Sequence, residues 1–289
     1  MKRLLILSGK GGTGKTTVCA ALVRLANAKA VADCDVDAPN LHLVMNQTSK
    51  PQKTEFMGGD KAIVNADLCV SCGICQKNCR FNAINLLNYK AVVNEFSCEG
   101  CGVCEYVCSQ NAISLVPDLA GDKELYVDDS VFSTATLKMG RGNSGKLVTE
   151  VKLAMIKSAP ECDLSISDGS PGIGCPVMAS VSGMDLVLIV AEPSNSGISD
   201  LKRLVQMLTT FQVKFLVCVN KYDTSLDHTA EIETYCKDNN FFFAGKIPFD
   251  SEAVRAVNAG YTIVDVDCTA GTAVRKIYEK IITIKNDMK

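Results

Sequence analysis

Gly9-Lys10-Gly11-Gly12-Thr13-Gly14-Lys15-Thr16-Thr17 is the stretch on which the reading of this chain turns. An apolar run at 3–8 leads into it, and a helical pattern from Lys15 to about Ala28 leaves it. Strand, glycine-rich turn and helix in that order make a βα unit, and Gly9 through Thr16 fits the G-x-x-x-x-G-K-[ST] phosphate loop. Glycines let backbone N–H groups close round phosphate oxygens, and the positive end of a helix faces the same point. Gly9, Gly11, Gly12, Thr13, Gly14 and Thr17 are expected to surround the nucleotide, Lys15 to reach its β/γ-phosphates, and the Thr16 hydroxyl to bind Mg²⁺.

Outward from the loop, Val31-Ala32 runs into an acidic turn, Asp33-Cys34-Asp35-Val36-Asp37. Residues 46–64 are polar without clear periodicity and read as a linker. Past residue 118 the α/β rhythm resumes. Continuous apolar runs predict buried strands at 163–167, 185–191, 214–219 and 242–247, as in a parallel sheet covered on both faces. Helices are predicted at 146–157, 197–210, 228–239, 250–259 and 271–285.

The 289 residues carry 30 Lys+Arg against 32 Asp+Glu, so no global charge draws the chain to nucleic acid or an acidic membrane. No apolar run reaches the roughly 18 residues of a membrane span, and the apolar start meets Lys10 too soon for a signal peptide. A cytoplasmic location without stable membrane insertion or nucleic-acid binding is expected. In reducing cytosol, 15 Cys point to metal ligation rather than disulfides.

Lys10 is an additional lysine inside the loop. The form K-G-G-x-G-K-[ST]-T resembles the deviant Walker A motif of the MinD/ParA superfamily of dimeric ATPases. The resemblance implies a homodimer on ATP binding, in which Lys10 reaches the partner's nucleotide. Asp33 to Leu41 is similar to the family's switch I, which implies that Asp35 orients or activates the attacking water. Leu164-Ser165-Ile166-Ser167-Asp168-Gly169 resembles Walker B and switch II, with Asp168 holding Mg²⁺ through water. Asn220, at a strand end, is assigned by the resemblance to the adenine. Lys246-Ile247-Pro248-Phe249-Asp250 looks like the family's I-P-x-D segment, with Pro248 and Asp250 bordering the base. Asn220-Lys221-Tyr222-Asp223 also matches N-K-x-D, the guanine signature of another P-loop class, so GTP stands as the alternative to ATP.

Eight cysteines fall in two bursts. Cys69, Cys72, Cys75 and Cys79 have the spacing C-x₂-C-x₂-C-x₃-C, and Cys98, Cys101, Cys104 and Cys108 have it again. Residues 69–84 and 98–113 match at 8 of 16 positions with an offset of 29. This is the bacterial ferredoxin spacing, in which the fourth Cys of each run ligates the other cluster. One [4Fe–4S] cluster is thus assigned to Cys69, Cys72, Cys75 and Cys108, and the second to Cys98, Cys101, Cys104 and Cys79. Zinc is the alternative, although it usually takes two separated pairs of ligands. The proline that normally follows the fourth Cys is absent, with Arg80 and Ser109 in its place. A ferredoxin module within this frame resembles the MinD-superfamily ATPases with an inserted ferredoxin domain.

The expected fold is a doubly wound, mostly parallel α/β P-loop NTPase domain, 1–63 and 119–289, interrupted by a bacterial-ferredoxin-like domain at 64–118. Three functions fit it: an ATPase gating electron transfer to a redox partner, a factor assembling a metallocofactor or Fe–S cluster for a client, and a positioning ATPase with redox-sensing clusters. Of the other seven Cys, six read as core residues. Cys175, in Gly172-Ile173-Gly174-Cys175-Pro176, is a candidate ligand at a dimer interface, with simple packing as the alternative.

Overall fold

The computed structural model describes all residues except 46, 48 and 289. The order is β1 (Lys2–Leu7), α1 (Lys15–Ala26), β2 (Ala30–Asp33), β3 (Gln52–Val64), α2 (Ile74–Asn78), β4 (Ile84–Leu87), β5 (Lys90–Val93), α3 (Val103–Tyr106), β6 (Ile113–Val127) and β7 (Val131–Leu137). There follow α4 (Ser144–Ser158), β8 (Leu164–Asp168), α5 (Cys175–Val181), β9 (Leu186–Ala191), α6 (Asn195–Thr210), β10 (Lys214–Asn220), α7 (Leu226–Asp238), β11 (Phe242–Ile247), α8 (Ser251–Asn258) and α9 (Thr269–Asn286).

The chain divides into two units. The first comprises Met1–Lys53, Lys123–Thr136 and Gly145–Lys289; the second comprises Thr54–Asp122 and Leu137–Ser144. The expected linker at 46–64 is a correction: its larger part is strand β3, while residues 46 and 48 lie outside the described residues. The buried positions of β3 include Phe56, Gly58 and Ala62. They keep the alternation of a strand, but glycine and alanine hide it from a hydrophobicity reading.

In the first unit the strand order is β11-β10-β9-β1-β8-β2-β7, and neighbours along it pair in parallel. Its central strand shows why the sheet is covered twice. Leu4 and Ile6 of β1 pack in one core with Val18 and Leu22 of α1 and with Val274, Ile277 and Ile281 of α9. Leu5 and Leu7 face the other way, into a core with Val177 and Val181 of α5 and with Leu201, Leu204 and Leu208 of α6. Successive side chains leave a strand on opposite faces, so one unbroken apolar run serves two layers of helices. The register sets Asp168 beside both Ile6 and Asp33. The C-terminal ends of β1, β2 and β8 therefore meet at one edge, where sheets of this kind bind ligands.

The second unit holds an antiparallel hairpin, β4 with β5, in register from Ile84↔Val93 to Leu87↔Lys90. Asn88 (φ 48°) and Tyr89 (φ 58°) form its turn, the left-handed pair that suits the twist of a two-residue hairpin. The short helices α2 and α3 each start from a left-handed glycine, Gly73 and Gly102.

One buried cation ties two helices of the first unit. Lys152 of α4 is 6% exposed, and its Nζ donates to the carbonyls of Ala179 (2.6 Å), Ser180 (2.9 Å) and Ser182 (2.6 Å) at the end of α5. Lys152→Met keeps the apolar stem but strands three carbonyls, each a loss of 1 kcal/mol or more when buried. A destabilisation of about 3 kcal/mol is expected, read as a lower urea midpoint at unchanged slope.

Candidate functional site

The glycine loop lines a cavity of about 630 Å³ together with Asp35, Asn220 and residues 247–250. Residues 10–17 border it, as the sequence led us to expect; Gly9 and Asp168 do not. The Cβ that any other residue would add at Gly14 (φ +87°) would strike the Asn220 side chain, which donates to the Thr13 carbonyl at 2.7 Å. Glycine is thus required there both for its backbone angle and for the close approach of β10. Thr13 Oγ1 is buried and, among the described residues, without a hydrogen-bond partner. That is the kind of group a phosphate oxygen would satisfy.

Asp168 is fully buried. One carboxylate oxygen accepts Lys15 Nζ at 2.7 Å and the other accepts the Thr16 hydroxyl at 2.5 Å. Lys15 Nζ also stands 3.6 Å from Asp35. Burial alone would lower the Lys15 pKa, but Asp168 and Asp35 outweigh it and the value is raised. Burial raises Asp35, with Lys15 opposing. Lys10 behaves differently: its ammonium is 3.0 Å from Glu192 and 3.0 Å from Ser196 Oγ.

Asp33 organises the loop that follows it. Its carboxylate accepts the backbone N–H groups of Asp35 (3.1 Å), Asn40 (3.1 Å) and Leu41 (3.0 Å). Burial and then the charge of Asp168 push its pKa up to about 7, although those N–H bonds pull the other way. Motif reading left Asp33 without a role, because an acidic cluster does not reveal which carboxylate turns back on its own loop.

Lys221 Nζ donates to the Gly12 carbonyl at 3.2 Å. Asp223 accepts the Phe249 N–H at 2.8 Å and does not line the cavity. Asp250 caps α8 through the Glu252 N–H (2.9 Å) and also accepts the Thr269 hydroxyl and the Ala270 N–H. These bonds, led by that from Thr269, hold its pKa at about 2. Ile247, Pro248, Ala253 and Val257 make this end of the cavity apolar.

In the second unit the eight repeat cysteines divide by cavity. Cys69, Cys72, Cys75 and Cys108 line one, and Cys98, Cys101, Cys104 and Cys79 line another. Backbone N–H groups point at sulfur in matched pairs: Ala91 at Cys69 and Ala62 at Cys98 (3.5 Å each), Ala112 at Cys108 (3.3 Å) and Ala83 at Cys79 (3.4 Å). The bonds from Ala91 and Ser71 lower the Cys69 pKa, whereas burial raises Cys75 and Cys104. Lys90 Nζ bonds the Cys69 carbonyl and Lys61 Nζ the Cys98 carbonyl. Each half of the repeat therefore steadies the other's first cysteine. The repeat accordingly extends to 61–84 and 90–113, with 12 of 24 positions identical; strand residues such as Lys61-Ala62 and Lys90-Ala91 carry the extension. Among the described residues no three His, Cys, Asp or Glu side chains gather as round a single ion.

Of the remaining cysteines, Cys19, Cys34, Cys218, Cys236 and Cys268 are buried. Burial pushes Cys34 and Cys218 up to about 12, so both are thiols of the core. Cys162, expected in the core, is half-buried, because it sits in the turn before β8; Cys175 is exposed at the start of α5.

A lysine and a threonine from one glycine loop converge on an aspartate at the end of a neighbouring parallel strand, and together they define a P-loop nucleotide-binding fold. The chain belongs to the CobQ/CobB/MinD/ParA nucleotide binding domain family, which it matches over residues 4–263. It is 32% identical over 288 aligned residues to uncharacterized protein MJ0578 of Methanocaldococcus jannaschii, covering 96% of each chain. It is 21% identical to the iron-sulfur cluster carrier protein of the same organism, over 97% of this chain and 83% of that one. Its fold is that of the cell division ATPase MinD of Pyrococcus furiosus, with a TM-score of 0.58 and 18% identity over 98% of this chain and 99% of that one. Among the described residues no helix is long and apolar enough to cross a membrane.

The raised Asp33 pKa sets a sign for pH dependence. A carboxyl that holds its proton to about 7 when folded and to 3.8 when unfolded stabilises the fold most below 3.8, and that contribution is lost as pH rises to about 7. For nucleotide-free protein, the unfolding free energy of wild type minus that of Asp33→Asn should fall across this window and flatten above it. A difference that rises with pH would contradict the assignment.

Proposed function

We propose that this protein is an ATP-hydrolysing iron–sulfur protein in which a nucleotide-dependent homodimer gates electron transfer through two [4Fe–4S] clusters to a redox partner. The observation that carries the reading is the division of eight cysteines into two sets of four, three plus one in each, within a chain that also has a phosphate loop. Four sulfurs spread round an apolar cavity suit a cubane cluster, whereas a single zinc would draw them in to Zn–S distances of about 2.3 Å. The clusters would supply one-electron storage at low potential.

The nucleotide site supports ATP hydrolysis. Residues 10–17 would enclose the phosphates, and Lys15 and Thr16 would handle a phosphate and its Mg²⁺. Asp168 would hold the metal side of the site, Asp35 would hold and deprotonate the attacking water, and Asn220 with Pro248 and Asp250 would border the base. Lys10 would reach the nucleotide bound by the partner copy. Asp223, engaged by Phe249 and turned from the cavity, is not placed to read a guanine edge, which favours ATP over GTP. A second reading, delivery of iron and sulfur to a client, is favoured by the likeness to the iron-sulfur cluster carrier protein and by the exposed Cys175. Coupling in either case requires that ATP bind two states of the protein unequally.

Lys15→Ala should abolish ATP binding. Asp35→Asn should keep it within a few-fold while slowing hydrolysis at least about 100-fold, the share a positioned general base supplies. Isothermal titration and phosphate release measure the two, and equal or tighter binding of GTP by wild type would refute the choice of base. Anaerobically purified protein should contain about eight irons and as many sulfides per chain, and Cys72→Ala or Cys101→Ala about half of that. Iron leaving wild type for an apo-ferredoxin on ATP addition would select delivery; retention of iron, with electron transfer that responds to ATP, would select gating.

A further inference from the structure

The two cysteine cavities are near copies, so their differences are informative. Position 71 of the first half corresponds to 100 of the second, and position 70 to 99, at the offset of 29. In the first cavity the pair is Val70-Ser71; in the second it is Glu99-Gly100. Ser71 adopts a left-handed backbone (φ 58°), as Gly100 does (φ 62°). Ser71 Oγ is buried and, among the described residues, has no hydrogen-bond partner. A serine at 100 is not possible without rearrangement, since its Cβ would collide with the Asp60 carbonyl. Glu99 is exposed at the rim of the second cavity and, among the described residues, is the one charged residue lining it, whereas none lines the first. The lysines at the cysteine carbonyls, Lys90 and Lys61, are matched between halves and cancel in the comparison.

Resting on the two-cluster reading, we propose that Ser71 and Glu99 tune the two centres apart. The centre held by Cys69, Cys72, Cys75 and Cys108 has the higher reduction potential, and the centre held by Cys98, Cys101, Cys104 and Cys79 the lower. A reduced cluster carries one more negative charge than an oxidised one. A hydroxyl that donates toward cluster sulfur stabilises the reduced form, and a nearby carboxylate destabilises it; hydrogen bonds and net charge are both established determinants of cluster potential. Both differences therefore act in the same sense. One electron taken from an external one-electron reductant settles on the first centre. An electron on the second passes to the oxidised first, so that the second is oxidised as the first is reduced. The partner that receives electrons from the relaxed pair is thus served by the Cys69 half.

The test is an anaerobic potentiometric titration of the full-length protein with dithionite as reductant, followed by EPR, on wild type, Ser71→Gly and Glu99→Gln. Glycine suits the left-handed position 71 and glutamine keeps the size of residue 99, so neither change challenges folding. Wild type should reduce in two resolved one-electron steps. Ser71→Gly should lower only the higher step, Glu99→Gln should raise only the lower one, and the double variant should bring the two together. Raising the salt from 0.01 to 1 M shortens the screening length from about 30 to 3 Å, so it should shrink the Glu99 effect and leave the Ser71 effect. Coincident steps in wild type, or shifts of the opposite sign, would overturn the tuning while leaving two clusters in place. Iron well short of about eight per chain in wild type would overturn the cluster reading and the tuning with it.

Discussion

Lys15 is a single cation among three carboxylates at the C-terminal edge of the sheet. Its Nζ is 2.7 Å from Asp168 and 3.6 Å from Asp35, and Asp33 lies beside Asp168 across the β2–β8 ladder. Ionised carboxylates buried together repel strongly in a medium that screens little. The site relieves this in two ways: Lys15 neutralises Asp168, and Asp33 keeps its proton to about pH 7. A phosphate that recruits Lys15 removes the first relief. Binding of a nucleotide polyanion alone would then leave Asp168 exposed to further negative charge. On the function proposed, the donor set would favour nucleotide that arrives with a divalent cation, and the strand register that gathers the carboxylates would impose that condition.

The loop, the carboxylates and the cysteines were legible in the sequence because each follows a local spacing rule. The parallel strands were legible because residues such as Leu4 to Leu7 must be apolar on both faces. Strand β3 was not, since of its inward positions only Phe56 is strongly apolar, and Gly58 and Ala62 carry little hydrophobic signal. β7 was missed for a similar reason: Val131-Phe132-Ser133-Thr134-Ala135 is buried throughout, yet its hydroxyl residues break the apolar run. Asp33 was seen but not understood, because its role depends on a loop turning back over it. The N-K-x-D match at 220–223 shows the opposite fault. The motif is present in full, but the Asp223 side chain is spent on the Phe249 backbone.

The second unit illustrates how a small core can be specified by something other than apolar area. The core round its cysteines holds Ala62, Ala83, Ala91, Ile84 and Ile113 beside Cys75, Cys98 and Cys104. Alanines bury little area, and burial stabilises by only about 25 cal/mol per Å². The cysteines thus occupy the places that leucines would fill in a larger domain. On the two-cluster proposal, cluster binding at these thiolates would add to folding energy, because the site does not exist in the unfolded chain. The duplicated exchange, in which each half supplies the lysine and the N–H that steady the other half's first cysteine, makes the two halves interdependent.

The two lysines of the glycine loop show how one short segment divides fixed and movable tasks. Lys15 is almost wholly buried, with 6% of its side chain exposed against a fully buried Asp168. Breaking such a pair strands a buried charge and costs several kcal/mol, so Lys15 leaves Asp168 only for a ligand that replaces the interaction in full. Lys10 and Glu192 are 35% and 29% exposed. Pairs that face water contribute about 0–1 kcal/mol and weaken with salt. Lys10 can therefore be released by any competing phosphate at small cost, without disturbing the loop that carries it. The role proposed for Lys10, on the nucleotide of a partner copy, would require that property, and the same loop could not grant it to Lys15 without losing the charge balance at Asp168.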